Sequence, residues 1–129
     1  MKAEHILDAS ALLALLFAEP GLDVVKGLLA SAAVHTFTLA EVITKVLQKG
    51  LLDPEALIAS LNLNILPGLD LDEASALARL HAETRQYGLS MGDCLCLSMA
   101  AARGLIAVTA DQDWVKAMQG RSIQVLCIR

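Results

Sequence analysis

The sequence predicts an α/β fold, a three-layer α/β/α arrangement around a mostly parallel central sheet. Short apolar runs that read as strands alternate along the chain with segments of helical period. Several of those runs are apolar at every position, the pattern of strands covered on both faces. The length and composition agree. A chain of 129 residues, 56% hydrophobic and 19% charged, is large enough for one core and too apolar to stay disordered.

The elements follow in order. Residues 3–7 form the first predicted strand, which ends at Asp8. Ser10 is placed to cap a helix through about Phe17, and Glu19-Pro20-Gly21 is a turn. A second helix covers about 22–31, and a short strand covers 34–37. Thr38 is placed to cap a helix that reaches Lys49. Its Leu39, Val42, Ile43, Val46 and Leu47 keep the helical period, and Gly50 stops it. Asp53-Pro54-Glu55 is a strong helix start, a capping side chain followed by proline in the first turn. A strand is expected at 63–66 and a helix over 72–86, with Gly88 as its stop. Ser90 caps a helix to Arg103, which Gly104 ends. A strand over 105–108, a short helix over 112–119 and a strand over 123–128 complete the chain. No linker, repeat or low-complexity segment divides it, so residues 1–129 read as a single domain.

Composition narrows the function. The net charge is −4, opposite to that of a protein that grips nucleic acid by a basic surface. If RNA is the substrate, bound cations must supply part of the neutralisation. Aromatics are only 3% of the chain, so the core is built from Leu, Ala, Val and Ile, and the apolar excess suggests a partner subunit. Cys94, Cys96 and Cys127 are odd in number and lack zinc or redox spacing; they read as reduced, buried thiols. His5, His35 and His81 are scattered and form no catalytic motif. The apolar stretch 9–18 has Asp8 in front of it and closes on Glu19-Pro20 without an Ala-x-Ala site. About ten apolar residues are too few to span a bilayer, so a cytoplasmic location is expected.

The residues that carry chemistry are acids. Ligands bind open parallel sheets outside the carboxyl ends of the strands. Asp8 and Asp111 follow predicted strands to that edge, and Asp113 lies two residues further on. Glu41 and Asp93 fall in the first turns of predicted helices, which strand-to-helix loops deliver to the same edge. Each has a structural explanation by itself. Thr38 with Glu41 and Ser90 with Asp93 have capping-box spacing, and carboxylates suit helix N-termini. Asp8 suits a turn, and Asp111-Gln112-Asp113 suits an Asx turn with a cap. Asp93 resists that reading best. The residues after it, Cys94 to Ala102, are apolar on every side of the helix, so a carboxylate at its start is partly desolvated and needs a partner or a metal. Taken together, carboxylates gathered at one edge repel each other unless a divalent cation lies among them. Mg²⁺ or Mn²⁺ suits such hard oxygen ligands and can activate water for phosphodiester hydrolysis.

At this point four segments resemble the PIN-domain ribonucleases of the VapC type. These are Ile6-Leu7-Asp8-Ala9-Ser10-Ala11-Leu12-Leu13, Thr38-Leu39-Ala40-Glu41-Val42, the run from Tyr87 through Gly92-Asp93-Cys94-Leu95, and Thr109-Ala110-Asp111-Gln112-Asp113-Trp114. Order and spacing match over essentially the whole chain. The resemblance implies the three-layer fold and an endoribonuclease that depends on Mg²⁺ or Mn²⁺. It implies an acidic quartet of Asp8, Glu41, Asp93 and Asp111, with Asp113 as a fifth ligand. It also implies a homodimer and a small antitoxin protein. The chain departs from the family's pattern at Gln112, where a basic residue is common, and at Leu39 and Ala40, where further polar residues often stand. Both departures bear on RNA contacts. Lys45, Lys49 and Arg85 are the candidate phosphate contacts.

Three other readings are distinguishable. A PIN-like module that binds RNA or protein without cutting is expected to have lost acids, and none of the quartet is lost here. A phosphoacceptor domain needs an acidic pair after the first strand and a lysine after a late one. Asp8 stands alone, and Lys116 lies inside a helical segment. A nucleotide-binding domain needs a glycine-rich phosphate loop, which Gly88 and Gly92 do not form.

Overall fold

Five short strands hydrogen-bond into one parallel sheet in the order β3-β2-β1-β4-β5. They are β1 (His5–Leu7), β2 (Ala32–His35), β3 (Asn64–Leu66), β4 (Ile106–Thr109) and β5 (Val125–Cys127). The computed structural model describes residues 2–129. Every pairing within the sheet is parallel, with Leu7 beside Val108, Ile6 beside Ala33 and Val34 beside Ile65. All strands therefore end at one edge.

Period-two alternation divides the apolar residues between two faces. Leu7, Val34 and Val108 point into a core shared with α1 (Ala9–Leu16), α2 (Leu22–Leu28), α3 (Thr36–Gln48) and α4 (Pro54–Ala59). Ile6, Ala33 and Ala107 point into a second core shared with α5 (Leu71–Glu83), α6 (Met91–Arg103) and α7 (Asp113–Ala117). The result is the three-layer α/β/α fold expected from the sequence. α6 is buried along seven successive residues, Cys94 to Ala100, because it packs against both the sheet and α5. Cys94, Cys96 and Cys127 are free thiols. No helix among the described residues is long and apolar enough to cross a membrane.

The helix ends at the carboxyl edge differ from the sequence reading in ways that matter for function. α1 is capped by Asp8, whose carboxylate accepts from the Ala11 amide; Ser10 is not the cap but donates its hydroxyl to that carboxylate. β2 begins two residues earlier than expected, and the cap of α3 stands three residues earlier, at His35 instead of Thr38. His35 caps α3, with Nδ1 accepting from the Phe37 amide and Nε2 donating to the Gly68 carbonyl. Thr38 is thus inside the helix and buried, and Glu41 lies in the second turn, outside any capping box. α5 starts at Leu71 behind a full capping box of Asp70 and Glu73, and it ends before a 3-10 turn at Arg85–Tyr87. α2 likewise gives way to a 3-10 turn at Leu29–Ser31.

Candidate active site at the carboxyl edge of the sheet

Asp8 is the centre of the site. The chain leaves β1 and turns directly into α1, so Asp8 is held at the sheet edge with its side chain only 6% exposed. Both of its oxygens accept hydrogen bonds. Thr109 Oγ1 donates to Oδ2 at 2.6 Å, Ser10 Oγ donates at 2.7 Å to Oδ1, and the Ala11 amide donates to Oδ1 at 2.8 Å. Ser10 in turn accepts from the Ala110 amide at 2.9 Å, which ties the end of β4 to the start of α1. All of these donors are neutral. Burial therefore dominates and pushes the Asp8 carboxyl up from 3.8 to about 6, against the opposing effect of the hydrogen bonds; the negative charge of Asp93 adds to the rise.

Glu41 reaches the same place from α3. Its carboxyl is also raised, first by desolvation and then by Asp93 and Asp8. Its oxygens lie against the first turn of α6, where a Cβ built on Gly92 would come within 2.9 Å of them. Asp93 completes a capping box on that turn. Its Oδ2 accepts from the Ser90 amide at 2.9 Å, while its own amide donates to Ser90 Oγ. The structural explanation of Asp93 is thus correct, and it coexists with a position close enough to disturb Asp8 and Glu41. Beneath the three carboxylates lies the fully buried thiol of Cys96. Burial and then the charges of Asp8, Asp93 and Glu41 raise it well above its ordinary value.

Asp111 sits at the same edge but one step removed. Its amide donates to Thr109 Oγ1, the hydroxyl that donates to Asp8, and its exposed carboxylate accepts from the Asp113 amide in an Asx turn. Asp113 opens α7 at the surface. Neither acts on the titration of Asp8 or Glu41. Asp8, Glu41 and Asp93 are therefore brought together, with Asp111 adjacent and Asp113 further out. Ser10, Thr109 and Gly92 belong to the site and were not singled out from sequence. The Asp-x-Ser and Thr-x-Asp spacings around Asp8 and Asp111 were the available signal for the first two.

Among the described residues the acids have no positive partner. The ion pairs among the described residues are Arg103 with Glu73, Arg121 with Glu83 and Arg129 with Glu19, none of which includes Asp8, Glu41, Asp93 or Asp111. No three His, Cys, Asp or Glu side chains among the described residues converge tightly enough, as they stand, to hold an ion between them. The donor set nevertheless fits a hard divalent cation. It consists of carboxylates, among which the charge of Asp93 raises Asp8 and Glu41, with one of them buried and no ion-paired cation beside them among the described residues. Mutual repulsion alone favours carboxylates turned apart in the absence of such a cation.

Thr109 gives a direct test of this electrostatic account. Among the hydrogen bonds that oppose the rise at Asp8, that from Thr109 is the largest. Thr109→Val keeps the shape and removes the donor, so the Asp8 carboxyl should titrate higher still. The carboxyl carbon resonance of Asp8, followed against pH, reads the change; an unchanged or lower midpoint would remove Thr109 from this role.

Comparison with known proteins agrees with this fold. A sequence profile of the PIN domain matches residues 5–118. No curated protein matches the chain in sequence. Among solved structures, a chain of VapBC-5 from Mycobacterium tuberculosis, a member of the VapBC family of toxin-antitoxin systems, is 26% identical with a TM-score of 0.67. That match covers 97% of this chain and 98% of the other. A chain of a toxin-antitoxin complex from Klebsiella pneumoniae gives a TM-score of 0.73 at 19% identity, covering 98% of each chain. A chain of DNA-bound VapBC from Salmonella typhimurium gives 0.72 at 20% identity, covering 98% of this chain and 99% of that one. The last two likenesses show the fold, and the profile shows the family. The chain belongs to the PIN domain family.

Proposed function

We propose that the protein is an endoribonuclease that hydrolyses RNA phosphodiester bonds with Mg²⁺ or Mn²⁺, and that it is the toxin of a toxin–antitoxin pair. The observation that carries this reading is the group of Asp8, Glu41 and Asp93 at the carboxyl edge, mutually repelling and without a cationic partner among the described residues. Asp8, Glu41, Asp93 and Asp111 would hold the cation, with Asp113 as an outer ligand. When bound there, the cation would lower the pKa of a water and offset charge on the leaving oxygen.

The chain's own residues do the rest. Ser10, Thr109 and the Ala11 amide fix the orientation of Asp8, so that its carboxylate is held in place before any ligand arrives. The first turn of α6 fixes Asp93 through the Ser90 amide. Lys45 lies one helical turn beyond Glu41 and is exposed, in position to meet an RNA phosphate; Lys49 and Arg85 are exposed as well. Lys49 stands over the Phe17 ring at 5.7 Å, which holds it at the far end of α3.

The partners in this proposal are a second copy of the chain and a small antitoxin. An apolar patch between the starts of α3 and α6 supports a protein partner. Phe37, Leu69 and Met91 line a cavity of about 360 Å³, and Leu71, two residues beyond Leu69, is 84% exposed. The toxin–antitoxin assemblies among the structural relatives support it too.

The test is cleavage of a labelled single-stranded RNA with millimolar Mg²⁺ or Mn²⁺ and with chelator. Cleavage is expected only with metal, and Asp8→Asn and Asp93→Asn should each lower it by orders of magnitude. Cleavage that survives the chelator would refute the metal mechanism. RNA binding with no cleavage under any metal would make the protein a non-cutting module instead.

A further inference from the structure

Gly92 has no backbone reason to be glycine. It lies in the first turn of α6 with a helical conformation, unlike Gly88 and Gly104 on either side, whose φ angles are positive. A glycine inside a helix is less stable than alanine, because it loses more freedom on folding. The reason lies in what approaches it. A Cβ added at Gly92 would meet Glu41 first: 2.9 and 3.0 Å to the two carboxylate oxygens and 3.2 Å to the carboxyl carbon. The first is closer than a real Cβ tolerates and the other two are tighter than most, and all three involve the end of a side chain that can swing away.

We infer that Gly92 is a positioning residue, whose missing side chain seats the Glu41 carboxylate against the first turn of α6, beside Asp93 and within reach of Asp8. Two helices from different parts of the chain supply these acids, α3 and α6. No hydrogen bond from another side chain holds Glu41 among the described residues, whereas Asp8 has two hydroxyl donors. The space over Gly92 thus does for Glu41 what Ser10 and Thr109 do for Asp8. The acid pair Glu41 and Asp93 is brought together by a vacancy in α6 rather than by a bond. The functional consequence rests on the proposed metal-dependent cleavage; the placement itself does not.

The test is a cycle of wild type, Gly92→Ala, Glu41→Gln and the double variant. Each is melted in chelator and in increasing Mn²⁺, and each is assayed for RNA cleavage. In chelator Gly92→Ala should melt at or above wild type, since the helix gains and only a flexible side-chain end must move. Its apparent Mn²⁺ affinity, read from the rise in melting temperature, should fall about 10- to 100-fold, the range for residues that orient metal ligands. Cleavage should fall with it. In the Glu41→Gln background the same alanine should add little further loss, because it acts through Glu41. A full additional loss in that background, or a wild-type Mn²⁺ response in Gly92→Ala, would overturn the inference. A metal-independent readout separates it from the proposed function: the carboxyl carbon resonance of Glu41 in chelator should move in Gly92→Ala. An unmoved resonance defeats the placement whether or not Mn²⁺ binds. A moved resonance with no Mn²⁺ response in wild type would keep the placement and defeat the nuclease reading.

Discussion

Asp8→Asn is expected to abolish RNA cleavage while making the metal-free protein more stable at neutral pH. The carboxyl of Asp8 titrates at about 6 in the folded chain against 3.8 ordinarily, mainly because it is buried. Between those values the folded chain holds a proton that the unfolded chain has released, so the contribution of Asp8 to stability falls as pH rises from about 4 to 6. Above 6 the penalty is complete, and the displacement corresponds to roughly 3 kcal/mol. Asparagine carries no charge to desolvate. Its oxygen can still accept from the Ala11 amide, and its amide group can donate to the hydroxyl of Ser10 or Thr109 once these rotate. Denaturant titrations in chelator should therefore show little difference between variant and wild type near pH 4. The variant should gain an advantage of up to roughly 3 kcal/mol by pH 7. A variant less stable than wild type at pH 7 would mean that the hydrogen bonds to the carboxylate outweigh its burial. Loss of function with gain of stability is the signature of a residue kept for chemistry.

That signature explains why the fold was more legible than the site. Strand and helix order follow from local patterns, and those patterns agree with the packing. Ser90, the Asp53-Pro54 pair and Gly104 act as caps and stops as their types require. The misplaced boundaries occur where ordinary propensity is silent. Ala32 and Ala33 carry no strand preference and join β2 through its pairing with β1 and β3 on either side. Histidine is an uncommon cap, and His35 serves because the loop carbonyl of Gly68 fixes its ring from the other side. That loop is distant in sequence, so no local pattern announces it.

The three-residue displacement of the α3 cap changes the reading of Glu41. The spacing from Thr38 offered a capping box, which would have explained the acid without function. With α3 beginning at Thr36, that explanation fails, and Glu41 turns toward α6. Asp8 shows the reverse. Ser10 looked like the cap and Asp8 like a turn, whereas Asp8 caps α1 and Ser10 serves Asp8. Sequence spacing thus identified acids near one edge. It could not say which of them touch, because that depends on side chains brought together from α1, α3 and α6.

Asp93 offers the sharpest second test, because its structural and chemical roles predict changes of opposite sign. Its carboxylate closes a capping box with the Ser90 amide. Asp93→Asn retains an oxygen acceptor for that bond and gives up the charge at the helix N-terminus, a loss of about 0.3–1 kcal/mol. If capping were all, the variant would melt slightly below wild type in chelator. The charge of Asp93 also acts on Asp8 and Glu41. Two like charges roughly 8 Å apart at an effective dielectric near 20 repel by about 2 kcal/mol, and there are two such partners, less whatever proton uptake at Asp8 relieves. Repulsion therefore outweighs the dipole, and Asp93→Asn should melt above wild type in chelator at pH 7. In millimolar Mn²⁺ the order should reverse. Wild type gains from binding to its folded state, whereas the variant has one ligand fewer and gains little. The two melts together decide the matter. A variant that melts lower in chelator and rises as much as wild type with Mn²⁺ would leave Asp93 a cap and nothing more.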